Sequence, residues 1–474
     1  MALTRKKRIL FLNPPSLDGR RINRHIMDPH VSKGTYLYPP YDFLLLSGLF
    51  KPHPDWELKI LDAMALNMSE KNTLDSVTKW KPDFILAMSA PQCHTLDMNF
   101  LKQVKLHTGC SLFTAGAVQH SRKRQLLEKN KWMDGILLEP VNDDLLKFLE
   151  GKPGPWEQLI TQLMDSSPIS KPQEIFELPM PRHDLIDAKL YTYPSMTTDR
   201  FTSILASYSC PYTCEYCEAP SFKFKMRSPE LVLEELRFVH SLGIREVCFK
   251  DWTFGVNSRE AEVLLDGMIE ANLGISWFTF TRAEVLNLDL IKKMKKAGCR
   301  VLQIGVETIE LDALKDLKRK NDLEQIKNVF SLCRKEKIST MATLVLGLPG
   351  CDEESFKKTI DYVIDIDPDY ASFNIITPLL GSKLRADWES QGVVDSEIFE
   401  NQDSTRAIKN LGFEPEHLIQ WRDHAIRRFY FRPNYILRRL KECLTWNQIL
   451  NEAQTGWHLF VRHVLKRSSN LIPY

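Results

Sequence analysis

Three cysteines within eight residues, Cys210, Cys214 and Cys217 in the run SYSCPYTCEYC (207–217), are the part of this chain best equipped for chemistry. Their C-x3-C-x2-C spacing lets three thiolates close on one soft metal centre, because thiolates select iron–sulfur clusters, zinc or copper(I). A zinc ribbon wants four ligands in paired C-x2-C knuckles, and the remaining cysteines (93, 110, 248, 299, 333, 351, 443) are scattered singly. Three ligands suit a 4Fe–4S cluster that leaves one iron open to a small molecule. A three-cysteine zinc site and plain buried cysteines are the alternatives, and the spacing favours the cluster.

The totals set the frame around that loop. A chain of 474 residues predicts two or three domains, and 43% hydrophobic residues are enough to build their cores. A formal net charge of +2 does not mark a nucleic-acid binder, so no nucleic-acid partner is expected. Ten cysteines without paired spacing predict a reduced, cytoplasmic protein rather than a disulfide scaffold. The opening MALTRKKRILFLNPP holds too short an apolar stretch for a signal peptide, and no run approaches a membrane span. Peripheral membrane contact stays open.

Residues 1–150 alternate apolar runs with helical patterns. Strands are predicted at 8–12, 58–62, 84–88, 111–114 and 135–138, with helices at about 40–51, 70–79, 94–107, 120–130 and 142–149. That alternation predicts a doubly wound, Rossmann-like parallel sheet, whose ligands bind beyond the carboxyl ends of its strands. Those ends carry Asn13-Pro14-Pro15, Ser89-Ala90-Pro91-Gln92, Gly116-Ala117-Val118 and Glu139-Pro140-Val141. None is a G-x-G-x-x-G phosphate loop, which weakens a dinucleotide reading. His94 and His120 begin helices near this edge and are expected to be capping or surface residues. Residues 151–200, broken by repeated Pro and Gly, read as an extended linker.

From 201 to 395 the alternation resumes, with strands at about 203–208, 245–250, 276–281, 300–306, 340–346 and 370–376. Six βα units fall short of a closed eight-stranded barrel, so a partial (β/α)6 barrel is expected, with its chemistry at the carboxyl-terminal mouth. The cysteine loop follows the first of these strands.

The cysteine array, with the aromatic Tyr216 before its last member, resembles the signature of the radical SAM enzymes. FLNPP at 11–15, YPPYDFLLLSGLF at 38–50, ILDAMA at 60–65 and LPMPRHDLID at 178–187 are similar to the cobalamin-binding class of that family, the broad class of anaerobic magnesium-protoporphyrin IX monomethyl ester cyclase. The resemblance covers residues 8 to about 440. It implies a 4Fe–4S cluster on Cys210, Cys214 and Cys217, bound S-adenosyl-L-methionine, and a corrin cradled by the strand-end loops at Asn13, Pro14, Ser89, Gln92, Gly116 and Glu139. There is no D-x-H-x-x-G loop, which suits a class that binds cobalamin without a histidine on cobalt. The usual glycine- and glutamate-rich turn after the fifth strand is instead LEPVN (138–142).

Further matches assign the barrel. FKDWTF (249–254) resembles the family's D-D-x-F, with Trp252 in place of the second acid, and puts Asp251 near the SAM amino group or the substrate. Arg282 supplies a cation for the SAM carboxylate. Gln303 and Glu307, in QIGVET, look like the family's G-V-E-S strand, and Gly347, Pro349 and Gly350 like its G-L-P-G turn beside the adenine. Asp251 and Glu307 are the expected catalytic residues. The implied reaction is SAM cleavage to a 5′-deoxyadenosyl radical, hydrogen abstraction, and methylation of an unactivated carbon in a small-molecule, lipid or tetrapyrrole substrate, with electrons from a flavodoxin or ferredoxin. Cyclisation, oxidation or carbon–carbon coupling without methyl transfer is the second reading; a metal-binding partner protein is the non-enzymatic one.

Residues 396–474 look helical. HAIRRFYFRPNYILRRLKECL (424–444) and WNQILNEAQTGWHLFVRHVLKR (446–467) interleave cations with aromatics, as a helical cap or a membrane-surface segment would.

Overall fold

The computed structural model describes residues 5–32, 36–154, 156–161, 175–193, 196–399 and 412–442. The chain divides into two compact units. The first comprises Met1–Thr279, Lys296–Gly298 and Pro378–Asp403; the second comprises Phe280–Lys295, Cys299–Thr377 and Ser404–Tyr474.

In the first unit, β1 (Lys7–Asn13), β2 (Trp56–Asp62), β3 (Phe84–Met88), β4 (Ser111–Ala115), β5 (Gly135–Leu137) and β6 (Leu159–Thr161) form one sheet of order β2-β1-β3-β4-β5-β6. The first five are parallel, and each lies within two residues of its predicted position. The central residues of β1, β3 and β4 are buried on both faces, as their continuous apolar runs require. β6 corrects the linker reading. Leu159–Thr161 pairs antiparallel with β5, in register Leu137 to Leu159, inside a stretch expected to be an extended linker. Leu-Ile-Thr is too short a run to show a strand period. Further along the same segment, Thr192 bridges to Leu37 and Ile175 to Met226.

The second sheet is β7 (Phe201–Ile204), β8 (Glu246–Phe249), β9 (Ser276–Arg282), β10 (Cys299–Glu307), β11 (Ser339–Leu346) and β12 (Tyr370–Ile375), joined in sequence order. Within the first unit β7–β8 and β8–β9 are parallel; within the second β10–β11 and β11–β12 are parallel. This is the partial (β/α)6 arrangement. Four of the helices between these strands start on side-chain caps: Ser228, Asn257, Asp322 and Asp352 each accept a backbone N–H of the first turn.

One apolar core of the first unit joins the two sheets' residues. Phe11, Tyr41, Phe43 and Val141 pack in the same cluster as Leu205, Tyr208 and Phe222, which flank the cysteine loop. Helices Pro415–Tyr430 and Pro433–Glu442 belong to the second unit, and residues 446–467 lie outside the described residues. Among the described residues no helix is long and apolar enough to cross a membrane.

Candidate active site around the cysteine loop

β7 ends at Ile204, earlier than the predicted 208, because Ser207–Tyr208 turns away to pair antiparallel with Lys225–Met226. This two-residue rung closes the base of a loop, 209–224, that holds all three cysteines. Inside it Ser209 takes a left-handed φ of 66° and donates its hydroxyl to Ala219 O at 3.0 Å. Cys217 N–H donates to Cys214 O at 3.1 Å, and Ala219 N–H to Cys217 Sγ at 3.4 Å. Cys214 is buried, and Cys210 and Cys217 are half-buried. Burial, followed by the neighbouring Glu218, Cys214 and Cys210, pushes the Cys217 thiol well up. A thiol so placed ionises only against a strong cationic partner, which a metal supplies. Among the described residues no three His, Cys, Asp or Glu side chains converge tightly enough to hold a single ion. Three thiols on one short loop are the donor set of a 4Fe–4S cluster with one iron left open.

Both ends of the loop are fastened to the dipeptide that follows β8. At the entry, Asp251 accepts the Ser207 hydroxyl at 2.6 Å and Ala206 N–H at 3.0 Å. Its carboxyl is fully buried, and that burial raises it to about 6. At the exit, Glu218 accepts Asp28 N–H at 2.8 Å, while the Asp28 carboxylate takes the buried Lys250 ammonium at 2.7 Å. Lys250 also sits 4.4 Å above the Tyr38 ring. Trp252, the residue that departs from the family's acid, packs against the apolar core of this unit. Next to it the buried Thr253 hydroxyl lies 3.4 Å from Cys210 Sγ. Sequence reading named Asp251 and missed Lys250, Thr253, Glu218 and Asp28. Their partners lie 43 residues or more away along the chain, beyond the reach of any local pattern.

A third fastening comes from the segment after β12. Leu384 N–H donates to Glu215 O at 2.9 Å, between the second and third cysteines. Gly381, with φ 82°, passes so close that a Cβ would lie 2.7 Å from Ser221 Oγ. The segment then docks on the helices Ala117–Ser121 and Lys123–Lys129 and the turn between them: Arg122 pairs with Glu389 at 2.6 Å, and Lys129 with Glu397 at 2.5 Å. Tyr216 sits in the same loop, between Glu215 and Cys217.

The strand-end loops of the first sheet are drawn together by one buried cation. Arg24 meets Asp97 at 2.8 and 2.9 Å and donates to Pro14 O, Pro15 O and Asn13 Oδ1, using all five of its N–H groups. Asp97 in turn holds Ala90 N–H, so the Asn13–Pro15 and Ser89–Gln92 loops share one ion pair. Asn13 Nδ2 also donates to Asp62 at 2.9 Å, and Gln92 Nε2 to Pro29 O at 2.9 Å. His94 is buried with Nδ1 3.2 Å from Ser89 Oγ, which corrects its reading as a capping or surface residue. His120 stands over Phe222, ring centroids 4.2 Å apart, and 3.9 Å from Glu139.

Gly116 has φ 148°, and a Cβ there would lie 2.0 Å from Ser89 O. Three residues on, Gln119 Oε1 is buried with no hydrogen-bond partner among the described residues, and Glu139 Oε2 is buried with only the Lys225 ammonium near it, at 3.6 Å. A buried acceptor without a donor is costly, and a ligand rimmed with amide N–H groups, as a corrin is, would satisfy Gln119 Oε1. The residues therefore fit cobalamin.

In the second unit Glu307 ends β10 at a bulge against β11, with φ 62°. Its carboxylate folds back to within 2.5 Å of where a Gly305 Cβ would lie, so a side chain there would displace that carboxylate. Arg319 reaches Glu307 at 3.7 Å and donates to Gly305 O at 2.9 Å. Gln303 is buried in the same strand, and Gly347 (φ 85°) and Gly350 (φ 84°) flank Pro349 in the turn past β11. Glu307, Gly347 and Gly350 thus share the carboxyl edge of two neighbouring strands. Arg282 is held by Glu284 and by Lys320 O.

Comparison with known proteins adds the following. The family model described as Radical SAM superfamily matches residues 204–363. An uncharacterized methyltransferase, PH0819, of Pyrococcus horikoshii is 24% identical over 424 residues, 85% of this chain and 90% of that protein. The anaerobic magnesium-protoporphyrin IX monomethyl ester cyclase of Rubrivivax gelatinosus is 21% identical over 391 residues, 78% of this chain and 68% of that one. The solved structure of OxsB, a cobalamin-dependent S-adenosylmethionine radical enzyme with aqua-cobalamin and S-adenosylmethionine bound, superposes with a TM-score of 0.69 at 13% identity, over 97% of this chain and 72% of that one. The two share a fold.

Proposed function

We infer that this chain, which carries a radical SAM domain over residues 204–363, is a cobalamin-dependent radical SAM enzyme that methylates an unactivated carbon of a small-molecule, lipid or tetrapyrrole substrate. The observation that carries the reading is the loop 209–224: three cysteines, spaced for a cluster and fastened at entry, middle and exit. In this reading Cys210, Cys214 and Cys217 hold the cluster and leave one iron for the amino and carboxylate groups of SAM. When bound, cluster, SAM and cobalamin together supply a 5′-deoxyadenosyl radical and a transferable methyl group; the protein supplies orientation and exclusion of water.

Asp251 keeps the loop entry in place. The half-buried Glu307 and the buried Gln303 offer oxygen atoms to the SAM amino and ribose groups, and the Gly347–Gly350 turn lets backbone approach the adenine. Arg282 offers its guanidinium to the SAM carboxylate. Gly116, Glu139, Ser89, Gln92, Asn13 and Pro14 line the corrin side. The cyclase of Rubrivivax gelatinosus, whose name specifies a tetrapyrrole substrate, supports a substrate of that class. A flavodoxin or ferredoxin is the proposed donor of electrons.

Anaerobic purification, reconstitution with hydroxocobalamin, and metal analysis test the reading. About four irons per chain with about one cobalt, together with 5′-deoxyadenosine formed from SAM, is the expected result. Iron without cobalt would favour radical chemistry lacking methyl transfer. Zinc without iron would overturn the proposal.

A further inference from the structure

The Thr253 hydroxyl is buried, with its side chain 3% exposed as part of a residue that follows β8 by four positions. Its one hydrogen-bond partner among the described residues is Cys210 Sγ, at 3.4 Å. A buried hydroxyl normally finds an oxygen or nitrogen, and this one is aimed at sulfur. Between two neutral groups either atom can donate. Once the sulfur is a metal-bound thiolate it has no proton, so the threonine must donate. The geometry around Thr253 is rigid: two residues earlier Asp251 is locked to Ser207 and Ala206, and Val256 N–H returns to Thr253 O at 3.3 Å.

We propose that Thr253 is a positioning residue that sets the reduction potential of the cluster by donating its hydroxyl hydrogen bond to the Cys210 thiolate. This rests on the cluster reading given above. Adding one electron, from an external low-potential donor, makes the cluster and its thiolates more negative. A donor aimed at one of those thiolates stabilises the reduced form more than the oxidised one and raises the potential. Ala219 N–H does the same at Cys217, at 3.4 Å. Thr253 differs in being a side chain, and so the one of the two that sequence change can remove.

The experiment is a redox titration of the reconstituted enzyme without SAM, followed by EPR of the reduced cluster. Thr253→Val keeps the shape and removes the donor; Thr253→Ser keeps the donor. At a fixed poise the Val variant is expected to show a several-fold lower ratio of reduced to oxidised cluster, up to about tenfold, which for one electron is about 59 mV. The Ser variant is expected to titrate like the parent. Equal potentials in parent and Val variant overturn the inference and leave the cluster reading intact, whereas a parent that loads no iron overturns the reading beneath it. Should the Val variant load no iron, pulsed EPR of the parent after exchange into D2O decides: deuterons at both Cys210 and Cys217 support the inference, and one class alone overturns it.

Discussion

The carboxylate of Asp251 accepts the hydroxyl of Ser207 at 2.6 Å, three residues before the first cysteine of the loop. Two acceptor bonds from a buried carboxylate are strong ones, and both end on the backbone or side chain of the segment that leads into Cys210. Replacing Asp251 with Asn puts an amide donor against Ala206 N–H or Ser207. Losing about 1.5–3 kcal/mol of positioning corresponds to a fall in SAM cleavage of roughly 10- to 100-fold. Release of 5′-deoxyadenosine under saturating reductant measures it; cleavage at the parental rate would sink the assignment.

The same residue gives a pH dependence with a fixed sign. Burial raises its carboxyl to about 6, above the unfolded value of about 3.9. The folded protein therefore holds this proton while the unfolded chain has lost it. The contribution is fully present below about pH 4 and disappears as pH rises through about 6. The difference in urea midpoint between parent and Asp251→Asn should accordingly shift against the parent between pH 4 and pH 7. A difference that is flat across that window would contradict it.

Cys214→Ala removes the buried member of the three-cysteine set. Anaerobically reconstituted protein should lose its iron and all SAM cleavage while keeping its far-ultraviolet circular dichroism, because the loop's fastenings run through other residues. Full iron loading in this variant would place the metal elsewhere.

Arg24 and Asp97 are both essentially unexposed. Removing one partner leaves a buried charge uncompensated, which costs about 3–5 kcal/mol. Arg24→Ala and Asp97→Ala should each lower the urea midpoint strongly, and Arg24→Met with Asp97→Leu should lose less than the sum. Additive losses in the double variant would mean that the pair does not act as one unit.

Gly116→Ala would drive a methyl group to 2.0 Å from Ser89 O at a φ of 148°. Only movement of the Ser89 loop relieves that contact, so the variant should be destabilised and bind hydroxocobalamin at least tenfold more weakly. Cobalt per chain after gel filtration, read beside the melting temperature, separates the two effects. Unchanged cobalt loading would remove Gly116 from the corrin side.

Much of the fold was legible because its strands are continuous apolar runs separated by amphipathic helices, a pattern that survives in any context. The cysteine array was legible because its spacing is local. β6 escaped notice because three residues carry no period, and the rung Ser207–Tyr208 with Lys225–Met226 because two residues carry less. Thr253, Lys250 and Asp28 could not be found in the same way. Their significance lies in partners brought near by the fold, and Thr253 reads in sequence as an ordinary loop residue. His94 shows the reverse error, a residue that local pattern puts near the surface and packing encloses.

The third fastening of the cysteine loop has a consequence for how the protein is made. Leu384 meets Glu215 only after about 170 further residues have been synthesised, and the first compact unit takes its last segment from Pro378–Asp403. Contacts of such sequence separation form late, since a long loop must close first. The exit and entry fastenings use residues made before or soon after the cysteines, so the middle one is the last to form. The clamp on the cysteine loop is complete only in a chain synthesised past residue 384.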